Sequence, residues 1–151
     1  MKANVKNNLG GIFAVLFIVV FVAVVWIVIL SFAPPDKKEA EKVLQRDLEA
    51  LMTVTQHLEN SAIDRVYIDK TFPVDKIEDD AISAAYKRLF KDRYQHIVKE
   101  GNTVIFVVWI HFGTDYGIAY SINAKEKPDL PYSAEVVPLS ESGWFFYVRR
   151  Y

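Results

Sequence analysis

The chain has 151 residues, 18 basic against 19 acidic side chains, and no cysteine. A disulfide framework, a thiolate zinc site and a cysteine nucleophile are thereby excluded. With Lys2 and Lys6 set aside, the rest carries sixteen basic and nineteen acidic side chains, a poor balance for a nucleic-acid partner, which calls for a basic face.

Residues 1–9 read as a short polar tail. From Gly10 to Ala33 there is no ionisable side chain, and Ile12 to Leu30 is apolar without interruption. Some 22 residues of helix reach roughly 33 Å, enough for a bilayer core of about 30 Å. The expectation is a transmembrane helix over 10–33, the signal-anchor of a single-pass protein of the cell membrane, with the lipid bilayer as a partner. Cleavage as a signal peptide is disfavoured: the run exceeds an h-region of about 7–15 residues, and Pro34 follows Ser31-Phe32-Ala33. Lys2 and Lys6 stand on one side and Lys37, Lys38, Lys42 and Arg46 on the other, so the positive-inside rule is divided. The reading adopted is tail inside and domain extracytoplasmic, in the bacterial cell envelope.

Pro34-Pro35 forms a break, and 36–151 is expected to be one soluble domain holding 16 of the 21 aromatic residues. Asp36-Lys37-Lys38-Glu39 has the form of a capping box. The helix after it, about 37–59, carries an apolar stripe of Ala40, Val43, Leu44, Leu48, Leu51, Met52, Val54 and Leu58. Glu41, Lys42, Gln45, Arg46, Asp47 and Glu49 lie largely elsewhere. The stripe packs on its own domain, or else Leu44, Leu48, Leu51 and Leu58 form a self-association seam. A short strand at 65–69 follows. Asp75-Lys76-Ile77-Glu78 repeats the capping-box pattern and predicts a helix over about 76–92. Asp79-Asp80 in its first turn favour the helix dipole rather than forming a catalytic acid pair.

From Tyr94 the chain reads as an antiparallel meander: 94–99, 103–112, 116–123, 133–138 and 144–150. Strand 103–112 shows Ile105, Val107 and Trp109 on one face and Val104, Phe106, Val108, Ile110 and Phe112 on the other. Such a strand is central and covered twice. Helices cover one face; sheet curvature, a second copy or a ligand covers the other. The fold class is α+β, two helices on a curved antiparallel sheet.

Chemistry is sparse. There is no Gly-rich phosphate loop, His-Glu-x-x-His helix or Gly-x-Ser-x-Gly elbow. His57, His96 and His111 stand on a helix end and two strands, Asp115 in a turn, and Ser121 and Ser133 have no partner. No catalytic residue, metal site or cofactor is read, and the protein is not expected to be an enzyme. The best site candidate is the aromatic set Phe106, Trp109, Tyr120, Trp144 and Phe146. It lines a pocket if the sheet curls around a helix, and otherwise fills the core.

Gly117-Ile118-Ala119-Tyr120-Ser121 and Gly143-Trp144-Phe145-Phe146-Tyr147 resemble the C-terminal pattern of small uncharacterised single-pass membrane proteins of Gram-positive bacteria. The resemblance spans roughly the last 90 residues, implies a location and carries no activity. The order helix–strand–helix–strands is similar to the cystatin-like and NTF2-like folds, which host many functions. The functional expectation is a binding or assembly module at the cell envelope, its partner another envelope protein or itself, acting by tethering. The alternatives are a subunit of a secretion or conjugation complex and a pocketed small-molecule binder or enzyme.

Overall fold

The computed structural model describes residues 4–31, 35–111, 113–123 and 126–151, with side-chain surroundings given for 13–26 within the first stretch. The chain divides into two units, Met1–Pro34 and Pro35–Tyr151.

The first unit is one helix, α1 (Asn4–Ser31). Among the described residues, no helix is long and apolar enough to cross a membrane. This corrects the expectation of a transmembrane helix over 10–33, and with it the single-pass, signal-anchor and cell-membrane readings. The described side chains of α1, all exposed, run from Phe13 to Trp26. Phe32 and Ala33 at the end of the expected span, and Pro34 of the expected break at 34–35, lie outside the described residues, as does Phe112 at the end of the expected central strand.

The second unit is α+β. Its first helix, α2 (Lys37–Asn60), opens with Asp36 accepting the Glu39 amide at 2.8 Å. Strand β1 (Arg65–Asp69) follows. The expected helix from 76 begins later. Val74–Lys76 is one 3₁₀ turn, and α3 (Asp80–Asp92) starts where Asp79 accepts the Ala81 and Ile82 amides at 2.9 and 3.0 Å. A carboxylate satisfying two orphan amides fixes the start more firmly than the earlier acid at Asp75.

The remaining strands are β2 (His96–Glu100), β3 (Thr103–His111), β4 (Thr114–Ser121), β5 (Ser133–Pro138) and β6 (Trp144–Arg150). They join β1 in one antiparallel sheet of order β1-β2-β3-β4-β6-β5. Helices α2 and α3 lie on one face, over Ile97, Val104, Phe106, Ile118, Trp144 and Phe146. The other face carries a smaller cluster of Ile105, Val107, Ala119 and Tyr147, joined by Leu130. Residues 126–131, between β4 and β5, cover part of it, with Pro128 and Leu130 buried.

The register of β3 on β4 shifts between Val107 and Trp109. One extra residue there reverses the alternation beyond it. Trp109, expected beside Ile105 and Val107, instead packs with the helix-side core, while Ile110 is exposed. Gly117 sits opposite this bulge, and a Cβ on it would run into the Phe106 carbonyl oxygen. Only glycine allows the two backbones to come so close.

Candidate functional site

The two sets of residues singled out in the sequence meet each other. Phe106, Trp144 and Phe146 are buried, Trp109 and Tyr120 are half-buried, and all five join one core with Leu44, Leu51, Leu58 and the half-buried Leu48. The Trp144 ring lies 5.8 Å from Phe106 and 4.9 Å from Tyr120. Aromatic rings from the sheet thus fill the space beneath α2, and the leucines from α2 press down on them. Leu44 and Leu51 are fully buried and have no surface to offer a second copy. Of the two readings of each set, this placement is that of a stripe packed on its own domain and of aromatic rings in a core.

Asp47, expected on the outer side of α2, is buried. Tyr94 donates its hydroxyl to Asp47 Oδ2 at 3.1 Å, Arg46 Nε donates to Oδ1 at 3.0 Å, and Arg88 stands 3.7 Å away. Burial, reinforced by the Asp47 charge, pushes the Tyr94 hydroxyl far above its ordinary value. A carboxylate can be buried here because each side of it meets a donor. The cluster ties α2 to α3 and to the residue leading into β2.

On the face away from the helices, Asp115 is a buried strand residue and not a turn residue. Arg149 Nη2 donates to Asp115 Oδ2 at 2.7 Å, and the Tyr151 hydroxyl donates to the same oxygen at 2.6 Å. Desolvation, then the hydrogen bond to Asp115, pushes Tyr151 up to about 12. Tyr147 is raised well above its ordinary value by its burial. Of the basic pair at the C-terminus, Arg149 is therefore spent on Asp115, while Arg150 is exposed. The histidines at 57 and 96 lie against aromatic rings, His57 6.0 Å from Tyr86 and His96 4.9 Å from Tyr67. His96 pairs with Val107, so His111 lies four residues further along β3, roughly 13 Å away at 3.3 Å per residue. Among the described residues no group of three or more His, Asp or Glu could hold a metal ion.

A concave polar feature lies at the end of this same face. The register places Arg65, Glu100, Thr103 and Ser121 in one cross-strand row. Arg65 pairs with Glu100 at 3.1 Å. The turn between β2 and β3 is held by Gly101, whose φ is +54° and whose amide donates to the Asp64 carbonyl at 3.0 Å. The start of the crossing segment is pinned to that turn by the Ile122 amide on the Asn102 carbonyl at 2.8 Å. Ser121 Oγ donates to the Asn123 carbonyl at 2.9 Å. Between this row and residues 126–131 runs a groove of about 450 Å³, lined by Glu100, Asn102, Thr103, Ser121, Glu126, Lys127 and Asp129 with two prolines. That is within the usual 300–1,000 Å³ for a ligand site. Three carboxylates against one ammonium, with buried hydroxyls on the floor, suit a ligand that presents hydrogen-bond donors. Sequence reasoning missed the groove because its two sides meet only through strand register and the path of the crossing segment.

Compared with family models, curated proteins and solved structures, the chain matches none.

Proposed function

We propose that the Pro35–Tyr151 unit is a non-catalytic binding module whose ligand site is the groove between the β2–β3 turn and residues 126–131. The observation that carries this reading is the groove itself: hydroxyl, amide and carboxylate groups converge on a concavity of about 450 Å³. The aromatic set, by contrast, is packed against α2, with Phe106, Trp144 and Phe146 buried and Trp109 and Tyr120 half-buried. The ligand class is a small polar molecule rich in hydroxyl or ammonium donors. One wall, the β2–β3 turn, is held by hydrogen bonds and is formed before binding, which lowers the entropy that binding must offset.

The test is a titration of the isotope-labelled chain with a panel of sugars, amino sugars and polyamines, followed by amide chemical shifts. At least one member is expected to move residues 100–103 and 126–131 saturably. Asn102→Trp, which fills the mouth from an exposed position, is expected to abolish that response in a chain that is still folded. A panel without response, or a response that survives Asn102→Trp, refutes the reading.

A further inference from the structure

The sheet has two edges, and they differ. The Gly101 amide donates to the Asp64 carbonyl, and Arg65 is paired with Glu100. In an antiparallel ladder hydrogen-bonded pairs alternate, so Val66 and Ile68 bond to β2 while Arg65, Tyr67 and Asp69 turn their backbone groups outward. At the opposite edge the Leu139 amide donates to the Trp144 carbonyl, which leaves Ala134, Val136 and Pro138 of β5 facing outward. Proline has no amide to offer there, a common way to blunt an edge. Strand β1 has no such block. Its Asp69 carbonyl already accepts the Phe72 amide at 3.1 Å. The Arg65 and Tyr67 amides and carbonyls, and the Asp69 amide, have no partner among the described residues.

The side chains along this edge are self-complementary. Arg65, Tyr67 and Asp69 share the face away from the helices, as the Arg65–Glu100 pair and the Tyr67–His96 ring contact indicate. Turning the strand about a two-fold axis through Tyr67 sets Arg65 opposite Asp69 of the second copy, and Asp69 opposite its Arg65. The Arg65 guanidinium is exposed and has donors beyond those used on Glu100. Asp69 uses Oδ1 for Thr71, and its Oδ2 is left for a cation. On the helix side the same operation sets Val66 against Ile68. Four backbone hydrogen bonds are available: two between the Tyr67 residues, and two from Asp69 amides to Arg65 carbonyls.

We propose that β1 is a docking edge for a second copy of this chain, pairing antiparallel about Tyr67 to join two sheets into one. The contact is isologous, and its Arg65 also pairs with Glu100 of the groove wall. Five residues a side bury little area, so the pair forms transiently.

The absence of cysteine makes trapping direct, because any disulfide in a single-cysteine variant is intermolecular. Residues opposite each other in a hydrogen-bonded pair have Cα atoms about 5.5 Å apart, within disulfide reach. Under mild oxidation the full chain carrying Tyr67→Cys is expected to dimerise several-fold faster than the full chain carrying Glu135→Cys on β5. Adding Arg65→Asp to the Tyr67→Cys chain slows its cross-linking, and adding Asp69→Arg as well restores it. In the unaltered chain, hydrogen exchange at the Tyr67 and Asp69 amides slows as concentration rises, while Val66 and Ile68 do not change. Equal rates at the two edges, or an Arg65→Asp variant that dimerises undiminished, overturn the proposal. So does exchange at Tyr67 that ignores concentration, whatever the fate of the variants.

Discussion

Asp115 and Arg149 place opposite charges where almost no water reaches, with side chains 5% and 7% exposed. Removing one partner of such a pair strands the other, at a cost of about 3–5 kcal/mol, whereas removing both costs far less. Arg149→Met is therefore expected to lower the urea-unfolding free energy by about that amount. The double variant Asp115→Asn with Arg149→Met recovers most of the loss. Additive effects in the double-mutant cycle would show that the pair is not coupled. Each residue looked ordinary in the sequence, a turn aspartate and a terminal arginine, because strand register alone brings them together across 34 residues. Asp47 was misplaced on the outer side of α2, although the sequence held a signal for it. Ala40, Leu44, Asp47, Leu51, Val54 and Leu58 follow alternate steps of four and three, so a carboxylate occupied an apolar slot. That misfit marks a buried, partnered charge.

At the scale of elements, β3 shows how one residue redirects a face. Strict alternation set Trp109 away from Phe106, and the bulge at Val107–Trp109 returned it to the helix side. Gly117 is the permissive partner of that bulge. Gly117→Ala drives a methyl group into the Phe106 carbonyl and toward the Tyr147 ring. A destabilisation of at least about 1–3 kcal/mol is expected by analogy with overpacked cores. Chemical denaturation measures it, and an unchanged midpoint would mean that the strands can separate there at little cost. The ends of α2 and the spans of β1, β5 and β6 lie where caps, turn residues and alternation placed them. The start of α3 does not, because two neighbouring acid-led signals competed and the local pattern could not rank them.

For the whole molecule, buried tyrosines set an alkaline limit. Burial raises the hydroxyls of Tyr86, Tyr94 and Tyr147 above the ordinary 10.0. Unfolded, each loses its proton near 10; folded, each keeps it to higher pH. The stability from these protonated groups is fully present below pH 10 and is lost as pH rises beyond it. Each group contributes about 1.4 kcal/mol per pH unit in that range, less where solvent reaches the ring. A spectrophotometric titration is expected to find three of the eight tyrosines silent until the chain unfolds. Smooth titration of all eight near pH 10 would contradict the burial.

The sequence by itself determined what depends on neighbours along the chain: the two helical periods, the capping acids, the alternating strands and a core rich in aromatic residues. It also led to a membrane span over 10–33, which the described helix does not support. Tertiary structure alone decided which strands lie at the edges, where the bulge falls and that the crossing segment covers part of the second face. It also decided that the aromatic and leucine sets fill one core. These are matters of pairing between residues far apart in the chain, and a cross-strand row or a groove exists only once register is fixed.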